Sequence, residues 1–281
     1  MPNVQLKNGV TINYSYKKNY ENADNVVLFN GAFNTIQDWE SMADSIAAEL
    51  KCNVVTFEMR NQGESTKYTS DFEYSGFIED AYLLLKHLEI DSVSIITYSS
   101  GSAIAVDFIH AYPYLVNTVI FAGPMINPEG MFKTRLVCRS SLAALEQGGM
   151  KAATVCLFPM IFSNSFLEVI KDNFDNLLDM FEKSYNPATL SVYMKSWMQN
   201  SMNLEKISFV ADNTKTHFLY GEEDVYNAPE YVKQLEKKLG INRILFHELK
   251  KKGHALHIED MKGFSDKVVE ILKNKPAGAA L

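Results

Sequence analysis

The chain has 281 residues, of which 47% are hydrophobic, and a formal charge of −7. That length suits one large α/β domain with an ordinary globular core. The acidic balance, with no dominating basic block, excludes nucleic acid as the main partner and disfavours an anionic membrane. No apolar run reaches the ~18 residues of a membrane span.

Residues Met1 to Gly9 lack the cationic start and apolar core of a signal peptide, so a cytoplasmic protein without stable membrane insertion is expected. Val4 to Leu6 and Val10 to Tyr16 flank Asn8-Gly9, which predicts a hairpin with a type I′ turn at an antiparallel edge. The apolar run Val26 to Phe29 reads as a strand buried on both faces of a mostly parallel sheet. Thr35 and Asp38 have the spacing of a capping box, and Trp39, Met42, Ala43, Ile46 and Leu50 share one face of the helix that follows. Asn53 to Phe57 is the next strand. The loop Arg60-Asn-Gln-Gly-Glu-Ser65 leads to a helix marked by Phe77, Ala81, Leu84 and Leu88.

Val93 to Ile96 is read as a strand and Ser102 to His110 as a helix, and between them lies Thr97-Tyr98-Ser99-Ser100-Gly101. A serine on so sharp a turn has its hydroxyl pushed out above the sheet, as in a G-x-S-x-G nucleophile elbow. Here the second glycine is kept and Thr97 replaces the first. A serine in this place is also an ordinary helix N-cap.

After the strand Thr118 to Phe121, Gly123-Pro124 breaks the β-α rhythm. Eight of the 12 methionines fall between Met125 and Asn203, with six phenylalanines, including Phe158 and Phe162, and Trp197. This stretch is expected to be a helical subdomain with a soft core, and it also suits an apolar lid, because methionine adapts to flexible ligands. The expected organisation is a core from 1 to 124, a helical cap from 125 to 205, and the rest of the core from 206 to 281. In that last part lie a strand His217 to Tyr220, a turn at Gly221 to Asp224, a helix Pro229 to Leu239, a strand Arg243 to His247 and a final helix with Phe264 and Val268. The tail from Pro276 to Leu281 is expected to fray. Cys52, Cys138 and Cys156 have no metal spacing and cannot all pair internally, so they read as reduced packing residues. No metal or cofactor is expected.

Sites of parallel sheets lie at the carboxyl ends of the strands. Ser99, Asp224 and His254 follow three such strands in that chain order, at separations of 125 and 30 positions. The hydroxyl is a weak nucleophile until an imidazole takes its proton, and a carboxylate fixes the imidazole tautomer. Ser100 is the rival nucleophile, Glu222 and Glu223 the rival acids, and His257 the rival base. Arg60 reads as an anchor of its loop before a ligand. Lys250, Lys251 and Lys252 read as a solvated face, although their place before His254 could make a cationic rim, joined by Lys133, Arg135 and Arg139.

From Val26 to Leu272 the chain resembles the α/β-hydrolase superfamily, through Val26 to Gly31, Arg60 to Ser65 in place of R-G-x-G-x-S, the elbow, Gly221 to Asp224 and Gly253-His254. The resemblance implies a helix-flanked, mostly parallel sheet with a helical cap inserted after the sixth strand. It also implies an oxyanion hole made by the backbone N–H groups of Ala32 and Ser100. Asn30 stands where the superfamily usually has histidine. With the Gly-Glu-x-Asp turn and long cap, it makes the chain look most like the hydroxyalkanoyloxy-alkanoate synthases of rhamnolipid biosynthesis, which join hydroxyacyl groups taken from thioesters. The expected activity is therefore attack on fatty-acyl esters or thioesters, free or carrier-protein-bound, with Phe33, Met125, Trp197 and Met198 as substrate contacts. A plain carboxylesterase or lactonase, or a hydrolase-fold protein that only binds ligands, are the rival readings. The sequence leaves oligomeric state open.

Overall fold

Short runs rich in valine, isoleucine and phenylalanine, bounded by polar turns, form the strands of one eight-stranded sheet in a computed structural model that describes residues 2–240 and 242–274. The expected fraying of Pro276 to Leu281 lies outside these residues. The strands are β1 (Asn3–Gln5), β2 (Thr11–Lys17), β3 (Asn25–Phe29), β4 (Asn53–Phe57), β5 (Val93–Tyr98), β6 (Val116–Ala122), β7 (Lys215–Gly221) and β8 (Leu245–Leu249). Their order is β1-β2-β4-β3-β5-β6-β7-β8. Strands β3 to β8 are parallel, and the β1–β2 hairpin joins β4 antiparallel. Every position of β4 is buried, as continuous apolar runs between two helical layers require.

One layer holds α1 (Glu40–Leu50) and α11 (Met261–Lys273), which bury Trp39, Met42, Ile46, Phe264 and Val268 against the sheet. The opposite layer holds α2 (Ser75–His87), α3 (Gly101–Ala111), α8 (Leu204–Asn213) and α9 (Pro229–Leu239), with Phe77, Leu84, Phe108, Val210 and Leu235 at its core. Strand order reverses at β3, so the chain leaving β3 turns toward the first layer and the chain leaving β5 toward the second. Divergent exits of this kind open a crevice at the carboxyl ends of the strands.

Between β6 and β7 run α4 (Met131–Ile161), α5 (Asn164–Ile170), α6 (Phe174–Ser184) and α7 (Pro187–Trp197). α4 is broken at Gly149, which takes φ 69°. Phe158, Phe162, Phe166, Phe174 and Phe181 form a small aromatic cluster of their own. The methionines divide: Met125, Met131, Met150, Met194 and Met202 are buried, whereas Met180 is 52% exposed. α8 crosses the expected boundary at 205/206 as one continuous helix and packs on α3. Among the described residues no helix is long and apolar enough to cross a membrane.

Two local expectations are corrected. The first hairpin does not use a type I′ turn. Gly9 alone takes positive φ (85°), the Leu6 carbonyl accepts from Gly9 N–H at 2.9 Å, and Leu6 N–H reaches Val10 O at 2.8 Å. This is a three-residue connection, with Asn8 free to send its amide to Asp80 at 2.9 Å. The last strand starts at Leu245, not Arg243, because the Arg243 guanidinium reaches back to the Ser208 carbonyl at 3.0 Å and fastens α8.

Arg60 is the anchor expected. Its Nε and second terminal nitrogen donate to the two Asp80 oxygens at 2.7 and 2.6 Å, out of water. Its guanidinium lies 5.0 Å from the centre of the Phe72 ring. Gly76, in the first turn of α2, leaves the room: a Cβ there would stand 2.3 Å from the guanidinium. Removing one partner strands a buried charge, so Asp80→Ala should destabilise the protein by about 3–5 kcal/mol. Urea unfolding checks this, and a loss below about 1 kcal/mol would show that the pair does not hold this loop.

Candidate active site

The turn from β5 into α3 forces Ser99 to φ 50°, a conformation that costs a non-glycine residue of order 1–2 kcal/mol. The turn is tolerated because Gly101 has no side chain: a Cβ there would lie 2.4 Å from the Phe29 carbonyl oxygen and 2.6 Å from that of Asn30. Thr97, in place of the first elbow glycine, stays within β5, wholly buried, paired with Phe29 and Phe121. The strained position is the serine itself.

Ser99 Oγ lies 2.9 Å from His254 Nε2, and His254 Nδ1 lies 3.1 Å from Asp224 Oδ2. Ser99 Oγ also lies 3.2 Å from Met125 Sδ. Asp224 and His254 are 1% and 2% exposed, whereas Ser99 opens onto a cavity. Asp224 also accepts from Tyr226 N–H at 2.8 Å and from the Asn227 amide at 3.0 Å. The first bond holds Oδ1, the oxygen turned away from the histidine, and the second shares Oδ2 with the imidazole. Asn227 was not marked by the sequence reading; an amide three residues beyond the acid was its only signal.

The rivals lie elsewhere. Ser100 Oγ faces Tyr193 Oη at 3.1 Å. Glu222 pairs with Lys250 at 3.3 Å, and Glu223 accepts from Asn164 N–H at 2.9 Å. His257 is buried in α10 (Leu256–Glu259), 4.5 Å from the centre of the Trp39 ring, with Nε2 3.2 Å from the Asn34 amide.

Ala32 and Ser100 line the cavity with Ser99, and among the described residues no hydrogen bond within the protein uses either backbone N–H. Asn30 takes no part there, since its amide donates to Phe57 O at 2.8 Å and ties the end of β3 to β4. The cavity, about 430 Å³, is walled mainly by apolar side chains. Phe33, Met125, Trp197 and Met198 all face it, as do Phe158 and Leu177 from the helical insert. Trp197 has a second task that the sequence did not suggest: its indole N–H donates to Ser100 O at 2.8 Å, which fastens α7 to the elbow. Lys250, Lys251 and Lys252 line none of it. Lys250 pairs with Glu248 at 2.9 Å and Lys252 with Asp260 at 3.5 Å. Among the described residues no cluster of side chains could hold a metal ion.

A family model described as "alpha/beta hydrolase fold" matches residues 24–145. Two solved structures align over nearly the whole length. An α/β hydrolase enzyme from a Medee basin deep-sea metagenome library has a TM-score of 0.83 at 19% identity, covering 100% of both chains. The enol-lactonase of Burkholderia xenovorans LB400 has a TM-score of 0.79 at 18% identity, covering 97% of this chain and 100% of that one. The chain has the α/β-hydrolase fold. Among curated proteins it is similar to ethanol acetyltransferase 1 of Eremothecium cymbalariae, 29% identical over 40% of this chain and 32% of that protein. It is also similar to a probable alcohol acetyltransferase of Cyberlindnera jadinii, 23% identical over 54% and 41%. The matches thus span less than half the length of these relatives.

Burial, helped by nearby His254, pushes the His257 pKa down to about 3. In the unfolded chain a histidine binds its proton near pH 6.5. Between these values unfolding takes up a proton, so stability is full above about pH 6.5 and falls as the pH drops. From pH 7 to pH 5 this one residue should account for about 2 kcal/mol of lost stability. In His257→Gln the fall over that range should be shallower by that amount in urea titrations. Parallel falls in the two proteins would place the acid-sensitive group elsewhere.

Proposed function

We propose that the chain is a serine acyl hydrolase or acyltransferase, acting through an acyl-enzyme on esters or thioesters with medium or long apolar acyl chains. The observation that carries this reading is the series Ser99–His254–Asp224, hydrogen-bonded end to end and opening into an apolar cavity beside two unbonded backbone N–H groups. In this reading Ser99 Oγ attacks the acyl carbon as His254 Nε2 takes its proton, and Asp224 stabilises the imidazolium. The Ala32 and Ser100 N–H groups receive the oxyanion, each worth roughly 2.7–4 kcal/mol. When the tetrahedral species collapses, the bond to the alcohol or thiol breaks and that group leaves with the proton from His254. Water or an alcohol then attacks the acyl-serine through the same histidine, which frees Ser99.

A hydroxyl acceptor is favoured over water alone by the similarity to proteins named as alcohol acetyltransferases. The resemblance to synthases that join hydroxyacyl groups points the same way. Those relatives are named for acetyl transfer, whereas the cavity here suits longer chains. Each buried methylene contributes roughly 0.8 kcal/mol, so octanoyl should exceed butyryl p-nitrophenyl ester by about a hundredfold in kcat/KM. A preference for acetyl would reject the acyl-chain cavity.

A fluorophosphonate probe should label the wild type and Ser100→Ala but leave Ser99→Ala unmarked. Asp224→Asn should keep the fold while lowering turnover on the order of 10⁴-fold, because the tautomer is lost. Labelling of Ser99→Ala at the wild-type rate would overturn the assignment of the nucleophile. Adding a medium-chain alcohol to the octanoyl ester should yield the transferred ester alongside free acid; free acid alone would make water the sole acceptor.

A further inference from the structure

The two proposed oxyanion donors are held in different ways. A trans peptide points its C=O and its N–H in opposite directions, and there is no cis peptide among the described residues. Whatever grips the carbonyl of one peptide therefore aims the N–H on its far edge. For Ser100 the grip comes from the helix itself, since the carbonyl of Ser99 accepts from the N–H of Ser102 at 3.1 Å and from the Ser102 hydroxyl. Trp197 and Tyr193 hold the same residue from α7.

Ala32 has a weaker counterpart, since the N–H of Asn34 reaches the Gly31 carbonyl only at 3.3 Å. It lies between β3 and the short helical turn Ile36–Trp39, where no ladder or helix fixes its peptide. The shorter bond to the Gly31 carbonyl, on the same peptide as the Ala32 N–H, comes from the Gln62 side-chain amide at 2.6 Å. That amide cannot turn over, because its oxygen accepts from Met59 N–H at 3.1 Å and the side chain is buried. Two peptides further on, the Phe33 carbonyl accepts from the Tyr185 hydroxyl at 2.5 Å. Tyr185 lies between α6 and α7, and its ring meets the Phe33 ring edge-on at 5.9 Å. The loop is thus gripped on either side of Ala32, once from the Arg60–Ser65 loop and once from the helical insert.

We propose that Gln62 and Tyr185 are positioning residues that jointly aim the Ala32 N–H at the developing oxyanion, so that the helical insert completes the site as well as covering it. Neither touches the reacting atoms; both act through one donor. The inference rests on the acyl-transfer reading above.

Its test uses Gln62→Glu, which keeps the acceptor for Met59 N–H but loses the donor to Gly31, together with Tyr185→Phe and the double variant. Losing one oxyanion donor costs about 10²–10³ in kcat. Gln62→Glu should lower kcat about 30- to 300-fold and Tyr185→Phe about 3- to 10-fold, both with little change in KM and an unshifted pH profile. Affinity for an octyl trifluoromethyl ketone, whose hemiketal oxyanion mimics the tetrahedral species, should fall by the same factors. Because both residues serve one donor, the double variant should lose little more than Gln62→Glu alone, and so less than the product of the single losses. Wild-type kcat in a folded Gln62→Glu, or losses that appear in KM while ketone affinity is unchanged, would overturn the inference. So would multiplicative losses in the double variant. Should the wild type resist acylation at Ser99, the acyl-transfer reading falls first and takes this one with it.

Discussion

The approach of Gly101 to the carbonyls of Phe29 and Asn30 is the constraint on which the rest of the site depends. It brings the start of α3 against the end of β3, so the two chain exits that diverge at the order reversal begin almost in contact. Ser99 is thereby held at positive φ at the mouth of the crevice, and the loop with Ala32 leaves from the other wall. A side chain at position 101 would push the walls apart and separate the nucleophile from one expected oxyanion donor. Asp224 and His254 reach the same point because β7 runs parallel beside β6 and β8 parallel beside β7, so the turns that follow them open on the same edge of the sheet.

Much of this was legible in the sequence, for physical reasons that differ from residue to residue. The strands announced themselves because both faces of the sheet are covered, which leaves runs such as Val26 to Phe29 without polar interruptions. Ser99, Asp224 and His254 could be found because each sits on a turn directly after such a run. What could not be read was anything set by contacts distant in sequence. Gln62 looks like any loop glutamine until the Gly31 carbonyl is seen beside it, and Tyr185 is one of 14 tyrosines with no local pattern around it. Trp197 was assigned to substrate on its apolar character, while its N–H bond to Ser100 spans 97 residues. The hairpin turn was misread for the opposite reason. Asn-Gly was given a local meaning, but Asn8 is recruited by Asp80, which leaves Gly9 alone to take the positive φ.

The placement of the helical insert has a consequence for how such a chain can change. It leaves the sheet after β6 and returns through α8, while β6 and β7 stay paired from Thr118–Lys215 to Ala122–Leu219. The entropy of closing a loop grows only with the logarithm of its length, about 0.6 kcal/mol for each doubling. Length between the two strands is therefore weakly coupled to the stability of the sheet, and the cavity wall could drift by substitution at Phe158 or Leu177 without touching the elbow. Several insert residues reach back to the core, among them Ile161, Ser163, Asn164, Thr189 and Ser196, but Tyr185, Tyr193 and Trp197 bond to the elbow and the loop beside it. At those last three positions a change in the cavity wall would also change the geometry of the elbow and the loop beside it, so the wall can drift most freely where the insert is not moored.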